Sequence, residues 1–221
     1  NLMNEAAILA ARENRTTIAQ YDLIRSIEKV MLGPERKSHI LSEDEKRITA
    51  YHEMGHALIA SILPHADPVH KVSIISRGHA AGYTLKLPFE ERRLQSRKEF
   101  LDDIAVSLGG YATEQMIFGD VTTGASNDIQ VSTALARDMV ARYGMSEALG
   151  PVALDIGGQT SLTSRGGLVE KFASEAVSAK VDAEVSQMMN HALKRAQEVL
   201  IAHKGALDSL SEELIRVETI E

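Results

Sequence analysis

The sequence has 221 residues, 44% hydrophobic and 25% charged, enough for one medium domain or one domain with a small appendage. It contains no cysteine, which excludes disulfides and any Cys-ligated metal or cluster. A formal charge of -7 and 4% aromatics without Trp offer neither a basic face for phosphates nor a base-stacking platform, so no nucleic-acid partner is expected.

No apolar run approaches the roughly 20 residues of a transmembrane helix, and no signal-peptide pattern opens the chain. Asn1 falls in mid-pattern, so a fragment of a longer protein is expected. Leu2 to Asn14 is rich in Ala, Leu and Glu and predicts a helix. A second helical pattern places Leu23, Ile27, Val30 and Met31 on one face and stops at Gly33-Pro34. Residues Gly33 to Ile40 read as a solvated linker.

Ser42 and Glu45 form a predicted capping box. The helix it opens carries Ile48, Tyr51, Leu58, Ile59 and Ile62 and ends before Pro64. A short β section follows: Val72 and Ile74 alternate with Lys71 and Ser73, and Tyr83, Leu85 and Leu87 with Thr84 and Lys86. Gly78 and Gly82 bracket the turn, and Pro88 ends the second strand. From Ser96 one helical run uses Phe100, Ile104, Leu108 and Tyr111 and closes at Gly119. The loop Asp120 to Ser126 leads into a helix reaching about Tyr143, and residues 157–167 form a Gly/Ser/Thr-rich loop. A long helix then shows the stripe Val177, Val181, Val185, Met188, Ala192 and Val199, and a last one uses Leu207, Leu210 and Leu214. The expected fold is mainly α, with one small β-sheet.

One motif carries chemistry. His52-Glu53-Met54-Gly55-His56 is H-E-x-x-H within a predicted helix. Residues four apart share a helical face, so two imidazoles can converge on one tetrahedral ion. Glu53, a quarter turn round, can serve as general base toward a water there without ligating the ion. Gly55 sits mid-helix at a cost of roughly 1 kcal/mol against Ala, which implies close approach of another backbone or of a substrate. A third ligand is required. The extended motif would need Gly and His where Ile59 and Ile62 stand. The candidates are Glu114, Asp120, Asp128, His65, His70 and His79. Glu114 reads equally as a solvated helix position, and Asp128 as first-turn charge complementing a helix dipole.

Tyr51 to Ala57 (YHEMGHA), Asp67 to Ile75 (DPVHKVSII), Leu108 to Glu114 (LGGYATE), Thr123 to Ile129 (TGASNDI) and Ala136 to Gly150 resemble, in order, segments of the FtsH-type ATP-dependent zinc metalloproteases. These proteins join an AAA ATPase module to a helical peptidase domain. Met54, Tyr111 and Thr113 depart from the commoner residues. The resemblance implies Zn2+ held by His52, His56 and Asp128, with Glu114 behind them orienting a ligand and Glu53 as catalytic base. It makes residues 1–33 the end of the ATPase lid subdomain and 34–221 the metallopeptidase domain. No phosphate-binding G-x-x-x-x-G-K-[ST] motif occurs, so ATP belongs only to the full-length parent.

The implied activity is endopeptidase cleavage of unfolded or membrane proteins by the proteolytic part of a homo-hexameric membrane protease. The fragment is expected to be soluble. The parent would be anchored by absent N-terminal segments, with this domain on the cytoplasmic or organelle-interior side. The alternative is a catalytically inactive helical ring-forming scaffold, against which the intact H-E-x-x-H counts. A peptidase must hold an extended backbone beside the metal, and Gly82, Tyr83, Thr84 and Leu85 are the candidate substrate-binding strand. The same strand reads equally as one that only completes the sheet.

Overall fold

The computed structural model describes residues 2–33, 42–77, 80–87, 94–154 and 174–221. The expected linker over 34–40, Gly78, His79, Pro88 and the 157–167 loop lie outside the described residues.

Two helices open the chain, α1 (Leu2–Arg12) and α2 (Gln20–Leu32), and Gly33 at φ +88° ends the second. The buried side of α2 is not the apolar face expected. Asp22, Ser26 and Glu28 are buried, whereas Val30 and Met31 are exposed. The reason is ionic docking, which hydrophobic periodicity does not register. Glu28 meets Arg77 at 3.0 Å and Lys71 at 2.9 Å, tying α2 to the sheet region. Arg15 grips Asp22 through both nitrogens at 2.7 and 2.5 Å, and the Ala19 amide donates to the same carboxylate at 2.8 Å. The Arg15 bonds first, then the Ala19 amide, hold the Asp22 carboxyl down to about 2. At Asp22 the unfolded chain binds more protons than the folded one between about pH 4 and 2. The pair's stabilisation is therefore fully present above about pH 4 and is lost as pH falls through about 2. Asp22→Asn should lower the thermal midpoint at pH 6, and the difference from the parent should shrink as pH approaches 2. A difference independent of pH would show that the charge is not what matters.

Helix α3 (Glu43–Ile62) is the centre of the fold. Its N-terminus is the expected capping box: Ser42 accepts from the Glu45 amide, and Glu45 accepts from the Ser42 amide at 2.9 Å. From Ala50 to Ala60 every residue is buried, while Ile62 is exposed. A helix enclosed on all sides needs no single apolar stripe, and α3 packs against α4 (Arg97–Ser107), α5 (Gly109–Phe118), α7 (Glu175–Ala202), α8 (Lys204–Val217) and the sheet. Helix α6 (Ser126–Ala141) completes the bundle against α4 and α7.

The single helical run expected from Ser96 is two helices. The chain bends at Leu108, at φ −81° and ψ 0°, between α4 and α5. The bend seats Gly109 on Gly55: a Cβ on Gly109 would lie 3.1 Å from the Gly55 carbonyl, and one on Gly55 2.8 Å from the Gly109 oxygen. Gly55 is thus explained by close approach of α5, through the Gly109 backbone and through Thr113, whose Oγ1 would lie 2.1 Å from that Cβ. In α8, Leu207 and Leu214 are buried, but Leu210 is exposed and Ser211 takes the inward position, because 207, 211 and 214 keep helical spacing.

The sheet has the order β2-β1-β3, all antiparallel. Strand β1 (Val69–Ser73) pairs Val72 with Thr84 and Ser73 with Tyr83 of β2 (Tyr83–Lys86). On its other side it pairs Val72 with Ile220 and Ser73 with Thr219 of β3 (Thr219–Ile220). Sequence gives no sign of β3, since two residues show no periodicity. Its entry requires Glu218 at φ +62°. The C-terminal residues thereby cover one edge of β1, and β2 is an edge strand among the described residues.

Candidate metal centre

Among the described residues, one group of three ligand-type side chains lies close enough to hold an ion: His52, His56 and Asp128, with donor atoms within 4.8 Å of one another. Helix α3 places the imidazoles one turn apart. The 3-10 turn Thr123–Ala125 leads into α6, whose first turn carries Asp128 across to them. His52 Nε2 is 3.1 Å from His56 Nε2 and 3.2 Å from Asp128 Oδ2, and His56 Nε2 is 3.5 Å from the same oxygen. Tetrahedral ligands at about 2.0–2.1 Å from a zinc ion stand about 3.3 Å apart, so the triangle has the dimensions of one face of such a shell.

The hydrogen bonds behind the rings fix which nitrogens point inward. His52 Nδ1 donates to Glu114 Oε1 at 2.6 Å, and His56 Nδ1 donates to the Val106 carbonyl at 2.7 Å. With both Nδ1 atoms spent as donors, neutral rings aim two Nε2 lone pairs at each other and at a carboxylate oxygen. Three acceptors converging in a buried place repel unless a positive charge lies among them. A proton can supply it. Burial opposes charge on His52, but hydrogen bonds donated to Asp128 and Glu114 prevail and push its imidazole up to about 10. Burial likewise opposes the Asp128 carboxylate, yet the two histidines hold it well below the usual range. A divalent cation meets the same demand with two imidazole nitrogens and a carboxylate oxygen, the three-ligand set of catalytic zinc sites, which keep a fourth position open.

Glu114 is buried on α5, not on a solvated face, and its second oxygen accepts from the Thr122 amide at 2.6 Å. The carboxylate therefore links α5, the loop before α6 and the His52 ring, and fixes the orientation of that ring. Burial raises its carboxyl, but the bonds to His52 and Thr122 leave it lowered overall. Glu53 lies outside the triangle. Its Oε2 accepts from the Thr84 hydroxyl at 2.8 Å, and burial pushes its carboxyl up despite the neighbouring His56 and His52. Gly82 closes behind it: a Cβ there would come 3.0 Å from Glu53 Cγ and 2.9 Å from the Ser73 carbonyl.

These groups line a cleft of about 710 Å³ with β2 along one wall. Gly82, Tyr83 and Thr84 line it, whereas Leu85 does not, and the side chains of Tyr83 and Leu85 are buried. Whatever those two positions offer a ligand is main-chain. Asp120, His65 and His70 do not join the cluster, and His79 lies outside the described residues.

Gly110 escaped the sequence reading, although the pair Gly109-Gly110 was its visible signal. A Cβ on Gly110 would lie 2.3–2.5 Å from three atoms of the His52 ring. Gly110→Ala must turn or displace that imidazole. We expect zinc affinity to fall about 10–100-fold, the range for disturbed outer partners of a metal site. Competition with a fluorescent zinc chelator measures it, and parental affinity would show that the ring does not need the glycine.

The family model described as Peptidase family M41 matches residues 39–221. Over all 221 residues the chain is 48% identical to ATP-dependent zinc metalloprotease FtsH 1 of Sphaerobacter thermophilus, covering 34% of that protein. It is equally 48% identical over 221 residues to ATP-dependent zinc metalloprotease FtsH 3 of Petrotoga mobilis, covering 34% of it. To ATP-dependent zinc metalloprotease FtsH of Thermotoga maritima it is 46% identical over 222 residues, which is all of this chain and 36% of that protein. The chain thus spans about a third of the length of these relatives.

Proposed function

The chain belongs to peptidase family M41, a family of hydrolases, and from that premise we propose that it is a zinc-dependent endopeptidase acting on polypeptides. The observation that carries this reading is the convergence of two imidazole lone pairs and the Asp128 carboxylate on one point beside Glu53. His52, His56 and Asp128 would hold Zn2+, and Glu114 would fix His52 in the required tautomer. A zinc ion bound there supplies Lewis acidity, polarising the scissile carbonyl and making a water easier to deprotonate.

The rest is done by this chain's own groups. Glu53 takes a proton from the attacking water and passes it to the leaving amine. The free edge of β2 supports an extended substrate by main-chain pairing, which reads backbone and not side chains and fits low sequence specificity. Gly82, Tyr83, Thr84 and Leu85 are the proposed docking strand.

For the whole protein we propose an ATP-dependent protease, as the names of the relatives say of those proteins. Residues 1–33 would be the end of its ATPase lid subdomain and 34–221 its peptidase domain, a division supported by a family match that begins at residue 39. Homo-hexameric assembly, membrane anchoring through other segments, a cytoplasmic or organelle-interior side and membrane-protein substrates belong to the same proposal. Among the described residues no helix is long and apolar enough to cross a membrane. An inactive ring-forming scaffold would have no need of the three converging ligand atoms.

Metal removal tests the reading. Casein cleavage should drop to background after chelation, return with stoichiometric Zn2+ and fail to return with Mg2+, which wants an octahedral oxygen shell. Cleavage that survives chelation with no bound zinc would overturn it.

A further inference from the structure

We propose that Thr84 is the positioning residue for the general base, a role that rests on reading Glu53 as that base. Glu53 reaches the cleft on three rotatable bonds, and a base must be fixed within a fraction of an ångström of its proton for full effect. The Thr84 hydroxyl has one proton and two acceptors in range, Glu53 Oε2 at 2.8 Å and the Glu53 carbonyl oxygen at 3.1 Å. The carboxylate is the nearer and the stronger partner, because a charge-assisted bond outweighs a neutral one. That bond takes one oxygen of Glu53 and leaves the other to face the attacking water. Gly82 forms the back stop, since it allows Glu53 Cγ to lie against the main chain just before β2.

Thr84 is itself held firmly. Its strand partner is Val72, and its neighbour Tyr83 is buried beneath the Arg77 guanidinium, 5.6 Å from the ring centroid. Arg77 is in turn held by Glu28 at 3.0 Å. The strand that offers its free edge to a peptide therefore also carries the hydroxyl that aims the base. A peptide paired along β2 lies in register with Glu53 by construction.

The test uses the zinc-loaded protein and a fluorogenic peptide. Thr84→Val keeps the shape and removes the hydroxyl, and Thr84→Ser keeps the hydroxyl and removes a methyl. The expected result is a kcat lowered about 10- to 100-fold in Thr84→Val, with KM and zinc content unchanged and at least half of the parental kcat in Thr84→Ser. A kcat within twofold of the parent in Thr84→Val overturns the proposal, as does an equal loss in both variants. Should Thr84→Val not fold, Thr84→Ala removes the hydroxyl without adding bulk and is judged by the same limits. Glu53→Gln run in parallel separates the failures. If Glu53→Gln is fully active the base is misassigned, whereas an inactive Glu53→Gln with a fully active Thr84→Val refutes the positioning role alone.

Discussion

Asp128→Ala should release the zinc ion and reduce peptide cleavage to background. Even partners behind a metal ligand are worth about 10–100-fold in affinity, so loss of a ligand should cost more than about 100-fold. The geometry makes the effect specific. Asp128 Oδ2 stands 3.2 and 3.5 Å from the two Nε2 atoms, and no other carboxylate belongs to the cluster among the described residues. With the proposed ligand set, replacement would remove the one anionic ligand and leave two neutral imidazoles with a dication. Zinc stoichiometry by elemental mass spectrometry and cleavage of a fluorogenic peptide are the two readouts. Asp128→Ala that keeps one tightly bound zinc would mean that the third ligand lies elsewhere. Asp128 also lies in the first turn of α6, so the thermal midpoint of Asp128→Ala should be compared with that of the zinc-free parent, in which the ion's contribution to stability is likewise absent.

Glu53→Gln should produce the opposite dissociation: zinc stays and turnover goes. The amide has nearly the shape of the carboxylate, can still accept from Thr84, and lacks the basicity to take a proton. General-base catalysis accounts for about 10²–10⁴ in rate, and kcat should fall by that factor while zinc content is unchanged. Because the change is nearly isosteric, the cleft beside β2 should still bind peptide. Fluorescence anisotropy of a labelled peptide on the zinc-loaded Glu53→Gln protein checks this point. Loss of zinc together with activity would instead place Glu53 among the ligands.

Helix positions were the more legible part of the fold. The capping box at Ser42, the Gly33 terminus and the stripe Val181, Val185, Met188 and Ala192 are local signals that the structure keeps. Errors arose where a residue's surroundings come from distant sequence. Val30 and Met31 are exposed, while Glu28 is drawn inward by Arg77 and Lys71. Ser211 displaces Leu210 from the core, and Leu108 breaks a run that looks continuous, so that Gly109 can meet Gly55. Strand β3 exists only because β1 offers it an edge.

The site divides along the same line. What the sequence determined by itself is the pair His52 and His56 with Glu53 between them, since four residues of α-helix bring two side chains to one face whatever surrounds them. It left the third ligand among six residues, and resemblance, not spacing, singled out Asp128. Only tertiary structure decided the rest. It brought α6 and α5 across α3, so that Asp128 meets both Nε2 atoms and Glu114 and Val106 claim both Nδ1 atoms. It also made β2 an outer strand among the described residues, with Thr84 against Glu53. Helical periodicity reaches one or two turns, whereas Asp128 is 76 residues from His52, and at that separation proximity is set by packing alone.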